Sequence, residues 1–336
     1  MGRFIQIGAI KLRNNLIAAP MAGITDVGFR YLASKMGAAL TVTEMATSRG
    51  IIQGHHRTLR TITTHPSVKP YAVQIFGDDP EIMARAAAIA EDMGADIVDL
   101  NAACPVRKVI RSGSGAFLLR DLDRLGRMLK EVRKVLTVPL TLKIRSGWDA
   151  GSIVACEVAK MAGDEGLDAL ALHPRTVMQG FTGRADWNLI RETVAISKIP
   201  VIASGDIASP GDAVKVINST GCAGVMIGRA AMGNPFIFRE VIAALEGKAM
   251  PSPPAASERC AAALEHLDIM LEWFERKSAV ALWRKHLTWY VRGLPDAAKL
   301  RNKIFTMWDV EELRELTLNV FKFEKAVFSL AGGASA

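Results

Sequence analysis

Eight short apolar runs, rich in β-branched residues, recur along most of the chain and constrain its fold more than any other feature. They begin at Leu16, Leu40, Tyr71, Ile97, Leu140, Ala169, Pro200 and Gly224. The segments between them, such as PEIMARAAAIAEDMG from Pro80, repeat apolar residues every three or four positions, as amphipathic helices do. Strands that alternate with helices form parallel sheets, and eight such units within about 245 residues predict a closed (β/α)8 barrel, the TIM-barrel architecture.

An open, doubly wound sheet is the alternative for the same alternation. It lacks support, because no predicted strand is followed by a GxGxxG or GxxxxGK[ST] turn. The stretch GKAMPSPPAAS then breaks the alternation with three prolines. Beyond it, apolar residues from Leu264 to Phe274 recur at helical spacing. We therefore predict a barrel domain over residues 1–246, a linker over 247–257 and an all-helical domain over 258–336.

The charge of the chain points to an acidic partner. The 336 residues carry a formal net charge of +8, and between Arg276 and Lys303 lie eight Lys or Arg residues and the single acid Asp296. Two further basic runs cover residues 49–77 and 107–145. A solvated helix face explains one such run, whereas three in one chain favour a polyanion such as nucleic acid.

The cysteines and the first residues of the chain indicate the cellular compartment in which we expect the protein. Cys104, Cys156, Cys222 and Cys260 are widely separated, and neither they nor the histidines show the spacing of zinc ligands. Residues 1–15 lack the uninterrupted apolar region of a signal peptide, and no stretch approaches the roughly 18 apolar residues that span a bilayer. We expect a monomeric cytoplasmic protein with reduced thiols, no bound metal and no membrane partner.

Several predicted strands end in polar residues, and the carboxyl ends of the strands carry the chemistry of a (β/α)8 barrel. Lys143 lies within LTLKIRSG, where burial without a partner is costly, so we expect an anionic ligand beside it. Gln74 has a similar place in YAVQIFG, although neighbouring backbone is an alternative partner for its amide. Glycines in SGDI from Ser204 and MIGRAAM from Met226, with Arg229 beside them, predict a phosphate site after the last two strands.

Cys104 ends the fourth run, in NAACPVRKV, and three roles are open for it: a packing residue, a metal ligand, or an acid or nucleophile. Free cysteines are often buried for packing alone. Its place at a strand end, followed by three basic residues, favours chemistry, because nearby cations stabilise a thiolate or attract an anionic ligand. His173, with Arg175 two residues later, ends another strand and is either an ordinary strand-end histidine or a site residue.

Motifs ordered along nearly the whole chain resemble the bacterial tRNA-dihydrouridine synthase family, and its B-type members in particular. They are APMAGITDVGFR, LTVTEM, VQIFG, NAACPVRKV, LTLKIRSGW, ALHPRT, PVIASGDI, MIGRAAMGNPFIFRE and, in the tail, KHLTWYVRGLPDAAKLR. The resemblance implies an FMN-dependent (β/α)8 barrel with a helical C-terminal domain, which forms 5,6-dihydrouridine in tRNA with NADPH or NADH as reductant. It also implies that a hydride passes from flavin N5 to uracil C6 and that Cys104, as general acid, gives a proton to C5.

The resemblance also implies roles for the other site residues. Cofactor binding falls to Pro20, Met21, Ala22, Gln74, Lys143, His173, Ser204, Gly205, Asp206, Gly228 and Arg229. Substrate binding falls to Asn101, on the target uracil, and to Arg175, while the basic tail adds Arg284, Lys285, Lys299, Arg301 and Lys303 for the RNA backbone. The chain departs from the family pattern at Ala102, Ala103, Ile110, Ser112 and Ser204, which bears on loop geometry and on the uridine position selected.

Two other functions stay open on the sequence alone. A dihydroorotate or dihydropyrimidine dehydrogenase would keep the flavin and act on a free base, and it has little need of a basic helical tail. A non-catalytic RNA-binding protein would keep the tail, but the presence of Cys104, Lys143 and His173 together argues against it.

Overall fold

Eight parallel strands close into a barrel, and each begins within one residue of its predicted start. The computed structural model describes residues 4–331, with side chains through residue 322. The barrel strands are β3 (Leu16–Ala18), β4 (Leu40–Val42), β6 (Tyr71–Phe76), β7 (Ile97–Ala102), β8 (Leu140–Arg145), β9 (Ala169–His173), β10 (Val201–Ser204) and β11 (Gly224–Ile227). β3 pairs with both β4 and β11, and β4 pairs with β6, so the sheet is closed. The (β/α)8 prediction is therefore confirmed, and the open-sheet alternative is wrong.

Three short strands outside this set shape the two ends of the barrel. β1 (Gln6–Ile7) and β2 (Ile10–Lys11) form an antiparallel hairpin, and β5 (Ala46–Thr47) extends the pairing at the end of β6. Ile5 and Ile7 pack in one apolar cluster with barrel residues such as Ile97 and Ile202. The hairpin thus closes the amino-terminal end of the barrel with apolar side chains, which leaves the other end for polar groups.

Side chains along the barrel strands alternate between the interior and the surrounding helices. In β7, Val98 and Leu100 belong to the core between sheet and helices, whereas Ile97 lies in the interior cluster. The next residues on the interior face are Asp99 and Asn101. The barrel interior is therefore apolar near the amino ends of the strands and polar near their carboxyl ends.

Helices cover the outside of the barrel. They are α1 (Val27–Lys35), α2 (Ser48–Ile52), α3 (His56–Ile62), α4 (Pro80–Asp92), α5 (Arg107–Arg111), α6 (Leu122–Val135), α7 (Ala155–Asp164), α8 (Trp187–Ile196), α9 (Pro210–Thr220) and α10 (Ile237–Leu245). Side chains of Asp26, Asp79, Asp121, Asp186 and Ser209 accept hydrogen bonds from the first turns of α1, α4, α6, α8 and α9. These caps explain where the helices begin, because they satisfy amides that have no partner within the helix.

Four more helices follow a stretch, residues 246–255, that contains neither helix nor strand. They are α11 (Ala256–Trp273), α12 (Arg276–Tyr290), α13 (Ala297–Thr306) and α14 (Val310–Ala331). Their buried residues form a separate core around Trp283 and Leu287, and Leu32 of α1 packs into it. This shared packing fixes the helices against one side of the barrel mouth. Within residues 4–331, no helix is both long enough and apolar enough to cross a membrane.

Candidate active site

A buried hydrogen-bond network links three neighbouring strands at the carboxyl end of the barrel. The Gln74 amide nitrogen donates to Asp99 Oδ2 at 2.7 Å, and the Asn101 amide donates to Gln74 Oε1 at 2.8 Å. The Thr141 hydroxyl donates to Asp99 Oδ1 at 2.6 Å. Burial raises the pKa of Asp99, although the bonds from Thr141 and Gln74 and the charge of Lys143 oppose the rise. Asp99 was missed by sequence reasoning; the signal was its place two residues before Asn101 on the same strand face.

The loop that carries Cys104 is anchored to this network. Asn101 Oδ1 accepts hydrogen bonds from the backbone amides of Ala103 and Cys104 at 3.0 and 2.9 Å. The Cys104 carbonyl accepts from the amide of Ala116 at 3.1 Å. Gly115, at φ +61°, comes close enough that a Cβ there would lie 3.0 Å from that carbonyl. The backbone of Cys104 is therefore held through both its amide and its carbonyl, and its side chain is half-buried.

The protonation of Cys104 differs from the thiolate suggested by its basic neighbours in sequence. Arg107, Lys108 and Arg111 are exposed on α5. Burial raises the pKa of the Cys104 thiol, and this outweighs the Val106 amide and the charges of Arg145 and Lys143, which lower it. A thiol that stays protonated near neutral pH can donate a proton, which fits a general acid better than a nucleophile.

Lys143 brings a buried cation to the same end of the barrel. It is 8% exposed, and its ammonium makes no hydrogen bond and no ion pair with the side chains described, those of residues 4–322, or with the backbone around it. Burial, together with the charge of Arg145, lowers the pKa of Lys143 to about 8 against the opposing effect of Asp99 and Cys104. A buried ammonium without a hydrogen-bond partner is costly, so this position suits an anionic ligand.

Arg145 is a further site residue that the predictions did not assign. Its guanidinium donates to the carbonyls of Ala103, Thr176 and Gly180 at 3.1, 2.9 and 2.7 Å. It also lies 5.3 Å from the centre of the exposed Phe181 ring. Arg145 thus ties the cysteine loop to the loop after β9. Arg145 lies two residues after Lys143 on an apolar strand, and so on the same face of that strand. This spacing was the feature of the sequence that could have identified it as a site residue.

The ends of β9, β10 and β11 bring most of the predicted phosphate-side residues together. His173 is buried, and burial with four nearby cations holds its pKa far below the usual value, so the ring is neutral. Gly205 has φ +99°, and a Cβ there would lie 2.6 Å from the His173 ring, so glycine is required. The Asp206 carboxylate bonds Arg175 at 2.7 Å and Arg229 at 3.3 Å. Ser204 lies at the end of β10, directly before Gly205.

Arg175, a predicted substrate residue, has its donors engaged by groups of the barrel itself. It is 2% exposed and donates to the carbonyls of Thr182 and Gly183 as well as to Asp206. The structure therefore gives Arg175 the task of holding the loop after β9, and nothing in this geometry supports the predicted contact with substrate.

Pro20, Met21 and Ala22 lie on the loop between β3 and α1. The amide of Met21 donates to the Thr25 hydroxyl at 3.1 Å. A Cβ at Gly228 would lie 3.4 Å from the Met21 sulfur, so this loop adjoins the end of β11. The first and last strands of the barrel thus present these predicted cofactor residues side by side.

The basic residues of the tail separate into two groups. Arg276, Lys277, Arg292, Lys299, Arg301 and Lys303 are exposed. Arg284 is buried, donates to the carbonyls of Phe305 and Met307 at 2.7 and 3.2 Å, and lies 3.7 Å from the centre of the Trp308 ring. Arg284, predicted to bind the RNA backbone, therefore does not share the exposed face of these six residues, because its guanidinium packs the turn before α14.

A buried cluster joins the helical tail to α1. His286 Nε2 bonds Asp26 Oδ2 at 2.6 Å, His266 Nε2 lies 3.3 Å from Asp26 Oδ1, and His266 Nδ1 lies 3.2 Å from the Tyr290 hydroxyl. Burial opposes ionisation of Asp26, but the His286 charge and bonds to both imidazoles bring its pKa well below the usual value. Potential ligand atoms of Asp26, His266 and His286 lie within 4.8 Å of one another. The absence of a bound metal stays a prediction.

Comparison with known proteins bears on the identity of this site. Residues 16–327 match the model of the dihydrouridine synthase (Dus) family. The chain is 40% identical over 297 residues to tRNA-dihydrouridine synthase B of Xanthomonas campestris pv. campestris, covering 88% of this chain and 90% of that protein. It is 39% identical to tRNA-dihydrouridine synthase B of Pseudomonas aeruginosa, covering 91% and 92% of the two chains.

Solved structures with lower identity share the barrel. A 2-naphthoyl-CoA reductase complex superposes with a TM-score of 0.57 at 14% identity, covering 73% of this chain and 52% of that one. A variant of NCR from Zymomonas mobilis superposes with a TM-score of 0.53 at 18% identity, covering 74% and 91%. These two likenesses support the fold, whereas the long matches at about 40% identity confirm the family predicted from the motifs. This chain belongs to the dihydrouridine synthase family.

Proposed function

We propose that this protein is a flavin-dependent tRNA-dihydrouridine synthase, which reduces the C5=C6 bond of specific uridines in tRNA. The observation that carries the proposal is the Cys104 thiol, whose raised pKa keeps it protonated in the barrel mouth that also holds the buried ammonium of Lys143. The names of the curated relatives, which are tRNA-dihydrouridine synthases, support the same substrate.

The barrel mouth fits a flavin, and FMN in particular. Lys143 offers a cation that lacks a hydrogen-bond partner among the described residues. A reduced flavin ring carries negative charge, and a cation beside the ring would stabilise that charge. Gly205, Gly228 and the exposed Arg229 lie at the ends of β10 and β11, which is the usual position of a phosphate site in a (β/α)8 barrel. We assign ring binding to Gln74, Lys143, His173 and the loop Pro20, Met21 and Ala22, and phosphate-side binding to Ser204, Gly205, Asp206, Gly228 and Arg229. When bound, the flavin supplies the hydride for C6, with NADPH or NADH as the external reductant.

Cys104 provides the proton for C5 of the uracil. Its thiol is protonated near neutral pH because burial outweighs the neighbouring cations. Asn101 holds the backbone of the cysteine loop through Oδ1, and its amide nitrogen is held by Gln74. These contacts orient both Asn101 and the thiol, so we assign uracil binding to Asn101 and general-acid catalysis to Cys104.

The helical part, predicted over residues 258–336 after a linker at 247–257, serves in this proposal to bind tRNA. Lys299, Arg301 and Lys303 are exposed along α13, where cations can contact phosphates. Arg284 and Arg175 are excluded from the proposed RNA contact, because their guanidinium groups are buried against backbone carbonyls. A monomeric, cytoplasmic enzyme stays the expectation from sequence.

The test is to identify the cofactor and the product with the purified protein. Heat release followed by chromatography is expected to yield FMN, and incubation with NADPH and unmodified tRNA is expected to yield dihydrouridine in the nucleoside digest. Replacement of NADPH by NADH measures the preference between the two reductants. A protein without flavin, or one that reduces free uracil or orotate but not tRNA, would contradict the proposal.

A further inference from the structure

The peptide group of Gly23, on the loop between β3 and α1, is held on both sides by charged side chains. Its amide donates to the Glu44 carboxylate, and its carbonyl accepts from the Lys285 ammonium. Gly23 has φ +71°, and a Cβ there would lie 3.1 Å from Lys285 Nζ. Glu44 comes from the barrel, just beyond β4, whereas Lys285 comes from α12 of the helical tail. The tail thus reaches into the barrel mouth.

The tail holds the far end of the same loop as well. His286, the residue after Lys285, bonds Asp26 at 2.6 Å, and His266 of α11 approaches the other Asp26 oxygen at 3.3 Å. Asp26 in turn caps α1 by accepting from the amide of Phe29 at 3.0 Å. Residues 23–26 are therefore fixed at both ends by side chains of α11 and α12.

The charge of Lys285 also affects the Glu44 contact. Burial and the charge of Asp26 raise the pKa of Glu44, while the Gly23 amide, Arg30 and Lys285 oppose the rise. The Lys285 ammonium favours the ionised form of Glu44, so its removal would raise the pKa of Glu44 further. A neutral Glu44 is a weaker acceptor for the Gly23 amide. Lys285 thus makes one hydrogen bond to Gly23 directly and favours the carboxylate form of Glu44, which accepts the other.

We infer that Lys285 is a positioning residue for the flavin site. From the helical tail, Lys285 fixes the loop that carries Pro20, Met21 and Ala22. The inference rests on the proposed function, which places that loop against the flavin. It differs from the sequence prediction for Lys285, in which the ammonium contacts the RNA backbone. The two roles are separable, because a positioning residue acts on the flavin when no RNA is present.

The experiment compares Lys285→Met, which keeps the aliphatic stem, with Lys322→Met, which removes an exposed ammonium from α14. Flavin release on dilution of the holoenzyme and the midpoint potential of the bound flavin are measured without RNA. For Lys285→Met we expect the flavin dissociation constant to rise roughly tenfold, with a shifted potential. Lys322→Met is expected to match wild type, and Lys285→Arg is expected to restore most of the flavin affinity.

Further variants and outcomes keep the inference open to refutation. If Lys285→Met does not fold, Glu44→Gln tests the other contact to Gly23 and is expected to weaken flavin binding in the same direction. A Lys285→Met enzyme with wild-type flavin affinity and potential overturns the inference, and a loss of tRNA affinity alone would return Lys285 to the RNA-binding set. Failure of the proposed function would be seen in wild type itself, as a protein that holds no flavin.

Discussion

The barrel mouth and the surface of α13 both collect polar and charged residues, but they use them in opposite ways. In the mouth, Lys143 and Asp99 are buried, and both have shifted pKa values. On α13, the Lys299 side chain is 85% exposed and forms a surface ion pair with Asp296 at 3.1 Å. Buried groups are held at fixed positions in a low dielectric, which suits chemistry, whereas solvated cations can adapt to a folded RNA.

The junction between these regions differs from both. Lys285 and His286 belong to the basic run of the tail in sequence, yet both contact the loop before α1. A basic run is therefore a poor guide to RNA contacts where one of its members reaches a neighbouring domain. The following experiments test the contrast between a buried reaction site and a solvated docking surface.

The largest effect is expected at Cys104. Cys104→Ala should lower dihydrouridine formation by roughly 10²–10⁴-fold, because a general acid is lost. Flavin content and flavin reduction by NADPH should stay at wild-type levels. Cys156→Ala, which removes another half-buried thiol on α7, is the matched control and should keep tRNA turnover. Near wild-type turnover in Cys104→Ala would show that the thiol only packs.

Lys143 should affect flavin binding and stability in opposite directions. Lys143→Met should weaken flavin binding by roughly 10–100-fold, because a charge-assisted contact is lost. The same change should raise the free energy of unfolding of the flavin-free protein by about 1 kcal/mol, because a largely desolvated ammonium without a hydrogen-bond partner is removed. Chemical denaturation and flavin titration measure the two effects. Equal flavin affinity in the variant would remove Lys143 from the cofactor site.

On α13, a triple change tests the docking surface. Replacement of Lys299, Arg301 and Lys303 by Ala should weaken tRNA binding and reduce the slope of log K against log salt by about 3, while flavin reduction is unchanged. The control is the triple Ala variant of three exposed lysines on or just after barrel helices, Lys160, Lys198 and Lys215. This variant loses the same net charge as the α13 variant. A comparable loss in both triple variants would mean that net charge, not the α13 surface, attracts the RNA.

The smallest expected effect is a pH dependence of the folding free energy, which comes from His266 at the junction between the helical tail and α1. Burial and the His286 charge lower the pKa of His266 to about 4, against 6.5 for an exposed imidazole, with Asp26 opposing. The unfolded chain therefore takes up a proton first as the pH falls, so this group destabilises the fold progressively below about pH 7 and down to about pH 4. Between pH about 7.5 and about 5.5, His266 alone should cost on the order of 1 kcal/mol of folding free energy.

The His266→Gln variant isolates this contribution. Urea unfolding at both pH values should show a smaller pH dependence in the variant than in wild type, because the titrating imidazole is gone. Asp26, His286 and Tyr290 remain in place in both proteins, so the comparison changes only one member of the cluster. An unchanged pH dependence would mean that His266 does not titrate with folding.

Much of the barrel and part of its site were predictable from local pattern. Strand starts at Leu16, Tyr71 and Leu140 follow from short β-branched runs, whose alternation with helices leaves few arrangements other than a closed barrel. Lys143, Gln74 and Cys104 stood out because polar or reactive residues interrupt apolar strands near their carboxyl ends. The strand positions and these polar interruptions depend only on residues that are neighbours in the sequence, and so they can be predicted from the sequence alone.

Other features depended on contacts between residues far apart in the chain. Lys285 reaches Gly23 across 262 positions, and His266 reaches Asp26 across 240. The Cys104 pKa rises because packing excludes water, although the nearby sequence is basic. Arg284 is buried against carbonyls that a helical pattern cannot place beside it. Local propensity determined which elements form, but partner, burial and charge state follow from how those elements pack, and only the tertiary structure decided these.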